Sequence, residues 1–537
     1  MTRIDSFLST LTLRGAAVLL ILLTLAATLP GFTTLPPVDR DEARFVQTSR
    51  QMVASGDVID LRFQEGTRYK KPVGIYWLQA VAVAATGGGE AAIWRYRLPS
   101  LVAALVAVLM TARIGAVFGG ARAGLIAGGL MAGVFILGAE ARLAKTDAVI
   151  LACICVAQGV LARLWRDRGA LGPDALGWGE VLAFWGALAV GVLVKGPIAP
   201  MVVGLCALAL ALVARRGRWL LALRPLSGVA ILMALVLPWY VAITLKAGSA
   251  FWDEALGRDL LGKVAEGQES HGAPPGSYLA ALWVTFFPAS VALALALPAI
   301  WRARAAPGVV FALCWAVPGW VVFEAVATKL LHYTLPFYPA LALAVALVWE
   351  GVARGPVAVW AASLASLVAA VAVLLLLGLG AASQGMALPA PLMPFGLGLA
   401  VLVVALALFA RALRRGQALL AVVMLALAGA GLQAGAFRGL AAAPALWPAP
   451  AVVALAVDGG CPAPALWVEG YGEASLVFLS PGPVRFVDRG AALAALAGGG
   501  CVRAVVSGEA EAGGLRGRVR GINLGTGKGI DLWVYGP

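Results

Sequence analysis

The stretch that organises this chain is residues 38–79, VDRDEARFVQTSRQMVASGDVIDLRFQEGTRYKKPVGIYWLQ, a polar segment between two hydrophobic runs. Its charges stand out because only 13% of the 537 residues are charged. The charged residues of interest are Asp39, Asp41, Glu42, Arg44, Lys70 and Lys71. Functional residues concentrate on loops that a rigid scaffold positions, so we expect the chemistry of this protein to take place in this segment.

The first half of the segment predicts a short amphipathic helix that ends at Gly56. Its inward-facing residues recur with helical spacing: Phe45, Val46, Ser49, Met52 and Val53. Asp39 and Glu42 predict a capping box, with Asp39 accepting from the first-turn amides and Glu42 reaching back. Asp41 has no such structural task and is a candidate for a functional role, although a helix dipole also favours an acid in a first turn.

The second half of the segment predicts an anion site. Pro72 suits the first position of a helix, which places Lys70 and Lys71 just before its N-terminus. Two ammonium groups beside the positive end of a helix dipole repel it unless an anion lies between them, and a phosphate fits that description. The alternative is that both lysines reach out to lipid headgroups.

Composition predicts the broad class. A chain that is 61% hydrophobic is a polytopic membrane protein, and we expect about thirteen transmembrane helices. The predicted spans are 15–35, 98–118, 123–139, 147–164, 180–195, 198–214, 225–245, 279–300, 308–327, 335–352, 356–381, 392–411 and 417–436. Arg3 and Arg14 before the first apolar run resemble a signal peptide, which we interpret as an uncleaved anchor.

Loop charge predicts the orientation. One set of short loops carries the arginines, and the positive-inside rule makes these loops and the N-terminus cytoplasmic. The loop arginines are Arg122, Arg163, Arg166, Arg168, Arg215, Arg216, Arg218, Arg224, Arg302, Arg304, Arg354, Arg411, Arg414 and Arg415. The first loop, the C-terminal tail, every lysine and both histidines then lie outside. The net charge of +14 thus reflects topology and gives no indication of nucleic-acid binding.

Further candidates lie in the other outer turns. Asp147 stands at the mouth of a span, where a carboxylate is costly unless partnered, and its alternative role is pairing with Arg142 or Lys145. Lys195 stands at a predicted helix C-terminus, where the dipole already favours a cation. Another polar turn, KLLHYTLP, begins at residue 329.

The tail from about residue 438 differs from the rest of the chain. Short β-prone segments such as LWVEGY, CVRAVVS and DLWVY alternate with Gly and Pro turns and predict a small outer α/β domain over 438–537. Cys461 and Cys501 both fall in it, so a disulfide is a candidate in an oxidising compartment. The first 437 residues are predicted to form the membrane domain, with the active site in an outer loop at about 36–97.

Several motifs, in this order, resemble those of the bacterial lipid-linked-sugar glycosyltransferases of the C-type superfamily. They are DRDEARF, YKKPVGIYWLQ, ARLAKTDA, VLVKGPIAP and KLLHYTLPFYPAL. The protein O-mannosyltransferase-like and aminoarabinose (lipid A) transferase-like enzymes are the most similar groups. The resemblance covers the first 350 residues or so well and the later spans only in layout.

The resemblance implies transfer of a sugar from undecaprenyl phosphate, or another polyprenyl phosphate, to a lipid A, glycan or protein acceptor at the outer face of a bacterial inner membrane. It implies that Asp41 acts as a general base or orients the acceptor. Arg44, Lys71 and Lys70 would bind the donor phosphate, and Asp147 would position the sugar or a basic side chain. Further candidate substrate-binding residues are Glu42, Lys329, His332 and Tyr333.

One position departs from the aminoarabinose transferase pattern. Lys70 stands where that pattern has a glutamate of a metal site. An ammonium in place of a ligand carboxylate disfavours a cation, so no cofactor is predicted and the enzyme is expected to be metal-independent. His271 is the one remaining candidate ligand, and a weak one.

The main competing interpretation is a transporter or flippase of lipid-linked intermediates, which also has many spans and a basic cavity. It predicts charges at the bilayer midplane and broken helices in two matching halves, whereas these charges cluster on one side. A membrane scaffold whose tail binds partners would leave Asp41 and the two lysines without a purpose.

Overall fold

A computed structural model of the chain describes residues 5, 8, 10–87, 92–168, 175–255, 257, 272–352 and 389–537. Its helices up to the C-terminal domain are α1 (Leu13–Thr28), α2 (Asp41–Ser55), α3 (Gly74–Ala85), α4 (Ile93–Ala132), α5 (Phe135–Ala141), α6 (Asp147–Asp167), α7 (Trp178–Lys195), α8 (Ile198–Ala214), α9 (Pro225–Ala247), α10 (Ser249–Trp252), α11 (Ser277–Thr285), α12 (Ala289–Arg302), α13 (Pro307–Ala325), α14 (Tyr338–Val348), α15 (Pro389–Arg414) and α16 (Ala418–Ala441). A 3₁₀ turn, Leu331–Phe337, precedes α14.

Within these residues eight helical segments are long and apolar enough to cross a membrane, or nine if the bent pair α11 and α12 is one span. The shorter apolar helices α1 and α8 coincide with two further predicted spans. The predicted span 356–381 lies outside the described residues. The prediction of a polytopic, mostly helical membrane protein is confirmed.

Helix breaks occur within or between three of the predicted spans. The predicted span 279–300 consists of two helices, α11 and α12, which meet at 119°. Pro288 lies at this break and has no N–H to continue the helical hydrogen bonds. The spans 98–118 and 123–139 fall on α4 and α5, and α4 is broken at Gly119 and Gly120, where Gly120 has φ +72°.

The centre of the bundle is α6, most of which is buried against α4, α7 and α8. Its first residue, Asp147, therefore stands at the end of the most enclosed helix. The turn 142–146 before it and the 3₁₀ turn before α14 meet at this same end. This end of the bundle also carries the loop between α1 and α4.

That loop folds as predicted in outline. Helix α2 ends at Gly56, whose φ of +71° is the left-handed conformation that favours glycine. A two-stranded hairpin, β1 (Arg62–Phe63) with β2 (Gly66–Thr67), follows. Helix α3 then begins at Gly74, two residues later than the prediction from Pro72.

The predicted capping box is wrong in one half. Glu42 does reach back, and its Oε2 accepts from the Val38 amide at 2.9 Å. Asp39, however, makes no cap on α2, whose N-cap residue is Arg40. The carboxylate of Asp39 instead accepts hydrogen bonds from the amide and the hydroxyl of Ser475 in the C-terminal domain. These two donors replace the first-turn amides of α2 that the capping box predicted.

The C-terminal residues form the predicted small α/β domain. Its elements are α17 (Pro448–Ala456), β3 (Ala465–Val468), α18 (Ala474–Leu479), β4 (Val484–Phe486), α19 (Arg489–Ala497), β5 (Val502–Ser507), β6 (Leu515–Asn523) and β7 (Lys528–Tyr535). The sheet order is β4-β3-β5-β7-β6, with β3 parallel to β4 and β5, and β7 antiparallel to β5 and β6. A disulfide joins Cys461 and Cys501, with a Cα–Cα distance of 5.4 Å.

Candidate active site

A fully buried ion pair anchors the start of α2. Arg97 Nε lies 2.8 Å from Glu42 Oε1, and Arg97 Nη2 lies 2.9 Å from Glu42 Oε2. The same Oε1 accepts from the Ala144 amide at 2.7 Å, which ties α2 to the turn before α6. Both oxygens of Glu42 are thus engaged with protein groups, and the geometry gives it a structural role in place of the substrate contact predicted for it.

Asp41, the residue before this anchor, lies in a recess. Its side chain is accessible to solvent, yet protein atoms surround it closely enough to desolvate its carboxylate. The groups that act on it most strongly are, in decreasing order, Lys145, Arg68, His332 and Lys71. We call the space that Asp41 and these four residues surround the charged recess.

The charges of the recess keep Asp41 ionised. Desolvation raises the pKa of Asp41, but the surrounding cations outweigh this effect, so the net pKa lies below its usual value. Burial lowers the pKa of Lys145, but the carboxylates of Glu140 and Asp147 raise it by more than burial lowers it. The net pKa is therefore above its usual value. At neutral pH the recess therefore holds a carboxylate facing a fixed ammonium.

The far wall of the recess is a chain of paired charges. Lys145 Nζ lies 3.1 Å from Glu140 Oε1, and Lys195 Nζ lies 2.5 Å from Asp147 Oδ1. The imidazole of His332 stands between the two pairs, with Nδ1 3.6 Å from Glu140 Oε1 and Nε2 3.5 Å from Asp147 Oδ1. Three separate turns of the chain thus converge on Asp147.

Sequence reasoning missed three residues of this arrangement: Arg68, Glu140 and Lys195. The sequence indicates only a structural helix terminus at Lys195, but the end of α7 places its ammonium on Asp147 and 5.3 Å from the centre of the Tyr333 ring. The signal for it was the KGP triplet, which breaks the chain between α7 and α8. Arg68 and Glu140 carried no comparable signal.

Arg68 is well placed to receive an anion. Its side chain is buried, its guanidinium lies 5.3 Å from the centre of the Phe45 ring, and it acts directly on Asp41. Its Nε makes no hydrogen bond within the described part of the chain. A buried donor left in this state costs free energy that a bound acceptor would recover.

The two lysines before α3 differ in their surroundings. Lys71 is half-buried, donates to the Lys70 carbonyl at 3.1 Å and acts on Asp41. Lys70 is exposed. Arg44 follows Asp41 by one turn of α2 and is half-buried, but it is not among the groups that act most strongly on Asp41.

The side chains of the KLLHYTLP turn have two different roles. His332 belongs to the charged recess, and Tyr333 packs edge-on against it with ring centres 5.1 Å apart. Lys329 instead donates to the Glu324 and Val326 carbonyls, at 2.9 and 2.6 Å, around the end of α13. This position satisfies carbonyls that a helix terminus leaves without partners, so Lys329 has a structural role.

The residues present do not form an evident metal site. No group of three or more His, Cys, Asp or Glu side chains suited to a metal occurs among the residues that the structure describes, and His271 lies outside them. The donor set of the recess, with Arg68, Lys71 and Lys145, suits an anion.

Comparison with solved structures identifies the fold. The crystal structure of ArnT from Cupriavidus metallidurans bound to undecaprenyl phosphate aligns with a TM-score of 0.77, over 97% of this chain and 99% of that chain. The protein has the ArnT fold. Sequence identity in this alignment is 18%, so the ArnT likeness concerns architecture.

Sequence relatives agree with the ArnT fold. The family described as "Dolichyl-phosphate-mannose-protein mannosyltransferase" matches residues 70–241. The undecaprenyl phosphate-alpha-4-amino-4-deoxy-L-arabinose arabinosyl transferases of Pseudomonas paraeruginosa and Edwardsiella ictaluri are 28% and 27% identical over 308 and 320 residues. These alignments cover 56% and 59% of this chain, and the chain spans about half the length of those relatives, 54% and 56%. The resemblance to C-type glycosyltransferases is thereby confirmed.

Proposed function

We propose that this protein is an integral-membrane glycosyltransferase that moves a sugar from a polyprenyl phosphate, most simply undecaprenyl phosphate, to an acceptor. The observation that carries the proposal is the charged recess, in which one accessible carboxylate, Asp41, faces several fixed cations. The ArnT fold and the arabinosyl transferase relatives support the same chemistry. A translocation path would place such charges along the membrane-crossing helices, away from a loop at one end.

The cations of the recess account for the leaving group. A polyprenyl phosphate leaves as a phosphate anion, and fixed positive groups aimed at the developing charge lower the barrier. Arg68 offers an unused buried donor, and Lys71 and Lys70 stand at the start of α3, where the helix dipole adds to their field. These three residues, with Arg44 nearby on α2, form the proposed phosphate subsite.

Asp41 is the proposed general base that activates the acceptor. In a single displacement the acceptor oxygen attacks the anomeric carbon, the bond from that carbon to the phosphate oxygen breaks, and the configuration inverts. The proton of an acceptor hydroxyl passes to Asp41. Binding of the donor phosphate would offset the cations that depress the pKa of Asp41, so the carboxylate becomes a stronger base once the donor is in place. An acceptor phosphate would need only orientation.

The far wall of the charged recess is the proposed subsite for the sugar. Asp147 is held by Lys195 at 2.5 Å and by His332 at 3.5 Å, so its position is set before substrate arrives. Such a pre-oriented carboxylate is suited to accept hydrogen bonds from sugar hydroxyls. The aromatic ring of Tyr333 beside Lys195 supplies an apolar face to the same subsite.

Acceptor, orientation and location complete the proposal. The relatives are named for transfer of aminoarabinose from undecaprenyl phosphate, and the proposed acceptor is a lipid A, a glycan or a protein at the membrane surface. We place the recess and the C-terminal domain on the periplasmic side of a bacterial inner membrane and the N-terminus in the cytoplasm, as the loop arginines predict. The protein contacts membrane lipids throughout its spans.

Turnover of purified protein with a panel of undecaprenyl phosphate sugars tests the proposal. The measured quantity is release of undecaprenyl phosphate in the presence of acceptor-containing membrane extract. Asp41→Asn is expected to lower kcat by about 100- to 10,000-fold, the usual contribution of a general base. Asp57→Asn is the matched control, because Asp57 lies in the same loop but pairs with Lys246 outside the recess. Full activity of Asp41→Asn would remove Asp41 from its role.

The phosphate subsite has its own test. Lys71→Met is expected to weaken binding of undecaprenyl phosphate about 10- to 100-fold, since a hydrogen bond to a charged group is lost. Lys528→Met, at an exposed position of the C-terminal domain, is the control and should bind normally. Donors that bind with normal affinity, move across the bilayer and are never consumed would favour the transporter.

The same assay addresses the metal. We propose that transfer needs no divalent cation, because Lys70 places a positive charge at the position of the family's ligand carboxylate. Turnover should therefore survive a chelator unchanged. Loss of turnover with chelator and its recovery with one divalent metal would contradict this part of the proposal.

A further inference from the structure

A helix of the C-terminal domain binds the segment that leads into Asp41. The Ser475 amide donates to Asp39 Oδ1 at 2.8 Å, and the Ser475 hydroxyl donates to Asp39 Oδ2 at 2.6 Å. The Tyr471 hydroxyl lies 3.4 Å from the same Oδ2. Asp39 precedes Asp41 by two residues, so these bonds hold the backbone from which the catalytic carboxylate projects.

The same helix makes a second contact one turn later. Phe478, although part of α18, is fully buried in a cluster outside its own domain. The other buried members of that cluster are Val46, Val83, Ile93, Tyr96 and Ala144. Its ring meets Tyr96 edge-to-face with centres 5.6 Å apart, and its carbonyl accepts from Arg50 Nη1 at 2.8 Å.

These two contacts reach both walls of the charged recess. Ser475 acts on the start of α2, which carries Asp41. Phe478 belongs to the same buried cluster as Ala144, the neighbour of Lys145, and the Ala144 amide is itself bonded to Glu42. One short helix from the C-terminal domain therefore bonds to the segment before α2 and shares a buried cluster with the turn that carries Lys145.

We propose that Ser475 and Phe478 are positioning residues, through which the C-terminal domain sets the placement of Asp41 relative to Lys145 during sugar transfer. This inference rests on the proposed function. It assigns the C-terminal domain a part in the active site, because the domain holds groups that the proposed function places against the substrate. Displacing a reacting group by about 1 Å costs about 100-fold in rate, which is the scale of effect to expect.

Matched alanine variants of the full chain test the proposal. Ser475→Ala should lower kcat about 10-fold and Phe478→Ala about 100-fold, each with the KM for donor within about 2-fold of wild type. Ser480→Ala is the control for the first, since Ser480 lies next to the same helix but donates to Gly482 within the domain. Phe486→Ala, at an exposed position of β4, is the control for the second. Ser475→Thr keeps the hydroxyl and should restore kcat.

A double-mutant cycle separates positioning from a general loss of stability. If Ser475 acts through Asp41, Ser475→Ala should change kcat by less than about 2-fold in an Asp41→Asn background. The full 10-fold loss in that background would overturn the proposal, as would wild-type kcat for Ser475→Ala or an equal loss in Ser480→Ala. If Phe478→Ala fails to fold, the kcat values of Phe478→Leu and of the serine variants test the proposal instead. If Asp41→Asn itself keeps full activity, Asp41 is removed from its catalytic role, whereas the absence of any turnover in the wild-type protein would contradict the proposed function; both results are distinct from these outcomes.

Discussion

At the scale of single residues, Asp39 makes the docking of the C-terminal domain depend on pH. Burial raises the pKa of Asp39 from its usual value of 3.8 to about 6, although the hydrogen bonds from Ser475 oppose this effect. The folded state therefore binds a proton that the unfolded state has lost. Stability from this carboxyl is fully present below about pH 4 and is lost as the pH rises through about 6.

Asp39→Asn should remove that pH dependence. Because the amide is neutral at every pH, the variant is expected to lose less stability than wild type between about pH 4 and 7 in thermal unfolding of the detergent-solubilised protein. Asp57→Asn is the control of opposite sign. The hydrogen bond from Lys246 lowers the pKa of Asp57, so the stability that this carboxyl contributes to the protein is lost as the pH falls. Identical pH profiles for wild type and Asp39→Asn would contradict the prediction.

Replacing one carboxylate oxygen of Glu42 with an amide nitrogen should lower the stability of the protein strongly, because Glu42 pairs with Arg97. Glu42→Gln leaves the charge of Arg97 buried without its counterion, which should destabilise the protein by about 3–5 kcal/mol. Glu180→Gln breaks the Arg163–Glu180 pair, which is partly exposed, and should cost at most about 1 kcal/mol. Comparison of the two unfolding midpoints checks the prediction, and equal shifts would refute it.

Residues within one motif could be read from sequence, whereas pairs between motifs could not. Asp41 and Lys71 were predicted because their local context, a helix start and a helix dipole, leaves them without another task. Arg68, Glu140 and Lys195 were missed because their partners come from other turns of the chain. The capping of α2 by Asp39 was predicted wrongly for the same reason, since its actual partner is 436 residues away.

At the scale of elements, the approach of α3 to α7 places Lys71 relative to Lys195. A Cβ atom on Gly74 would lie 2.8 Å from both the carbonyl carbon and the carbonyl oxygen of Leu193. Gly74→Ala would therefore push α3 away from the last turn of α7. We expect a loss of about 1–3 kcal/mol in stability, the usual effect of overpacking.

The same substitution should weaken donor binding, because the lysines before α3 move with it. The measurement is the affinity for undecaprenyl phosphate together with the unfolding midpoint. Gly186→Ala is the control on α7 itself, where a Cβ would meet no atom within 4 Å. Wild-type affinity in the Gly74→Ala variant would show that the contact of α3 with α7 does not position Lys71.

Hydrophobic runs and turn residues predicted which elements exist but not where they bend. The start of α3 was misplaced by two residues and the break at Pro288 was not predicted, whereas the break at Gly119–Gly120 falls between the predicted spans 98–118 and 123–139. Apolar composition requires burial in lipid or protein and is satisfied equally by a straight or a bent helix. The bend is decided by packing against neighbours that lie elsewhere in the sequence.

At the scale of the whole molecule, layout followed from composition but the docking of the two parts did not. A chain this apolar has few alternatives to a helical bundle, and the tail stood out by its β-prone segments. Nothing in either part indicated that Phe478 is buried against α2, α3 and α4. Such contacts depend on shape complementarity between distant segments, which no local pattern encodes.

The disulfide of the C-terminal domain should support activity through this docking. The Cys461–Cys501 bond spans 40 residues, and loss of such a cross-link costs about 4 kcal/mol in the chain-entropy account. Cys461→Ala with Cys501→Ala is expected to make the C-terminal domain protease-sensitive and to lower kcat, while the helical bundle stays folded. Cys153→Ala, at a buried free cysteine, is the control. Unchanged kcat with a proteolysed domain would contradict the positioning role of Ser475 and Phe478.

The order in which the chain is made gives Phe478 a further consequence. The ribosome completes Asp41, Lys145 and every described apolar span before it reaches residue 474. A nascent protein can therefore be fully inserted in the membrane and still lack the helix that aligns its two reacting walls. If Ser475 and Phe478 position the two walls as proposed, a chain that ends after α16 should transfer sugar more slowly than the full chain.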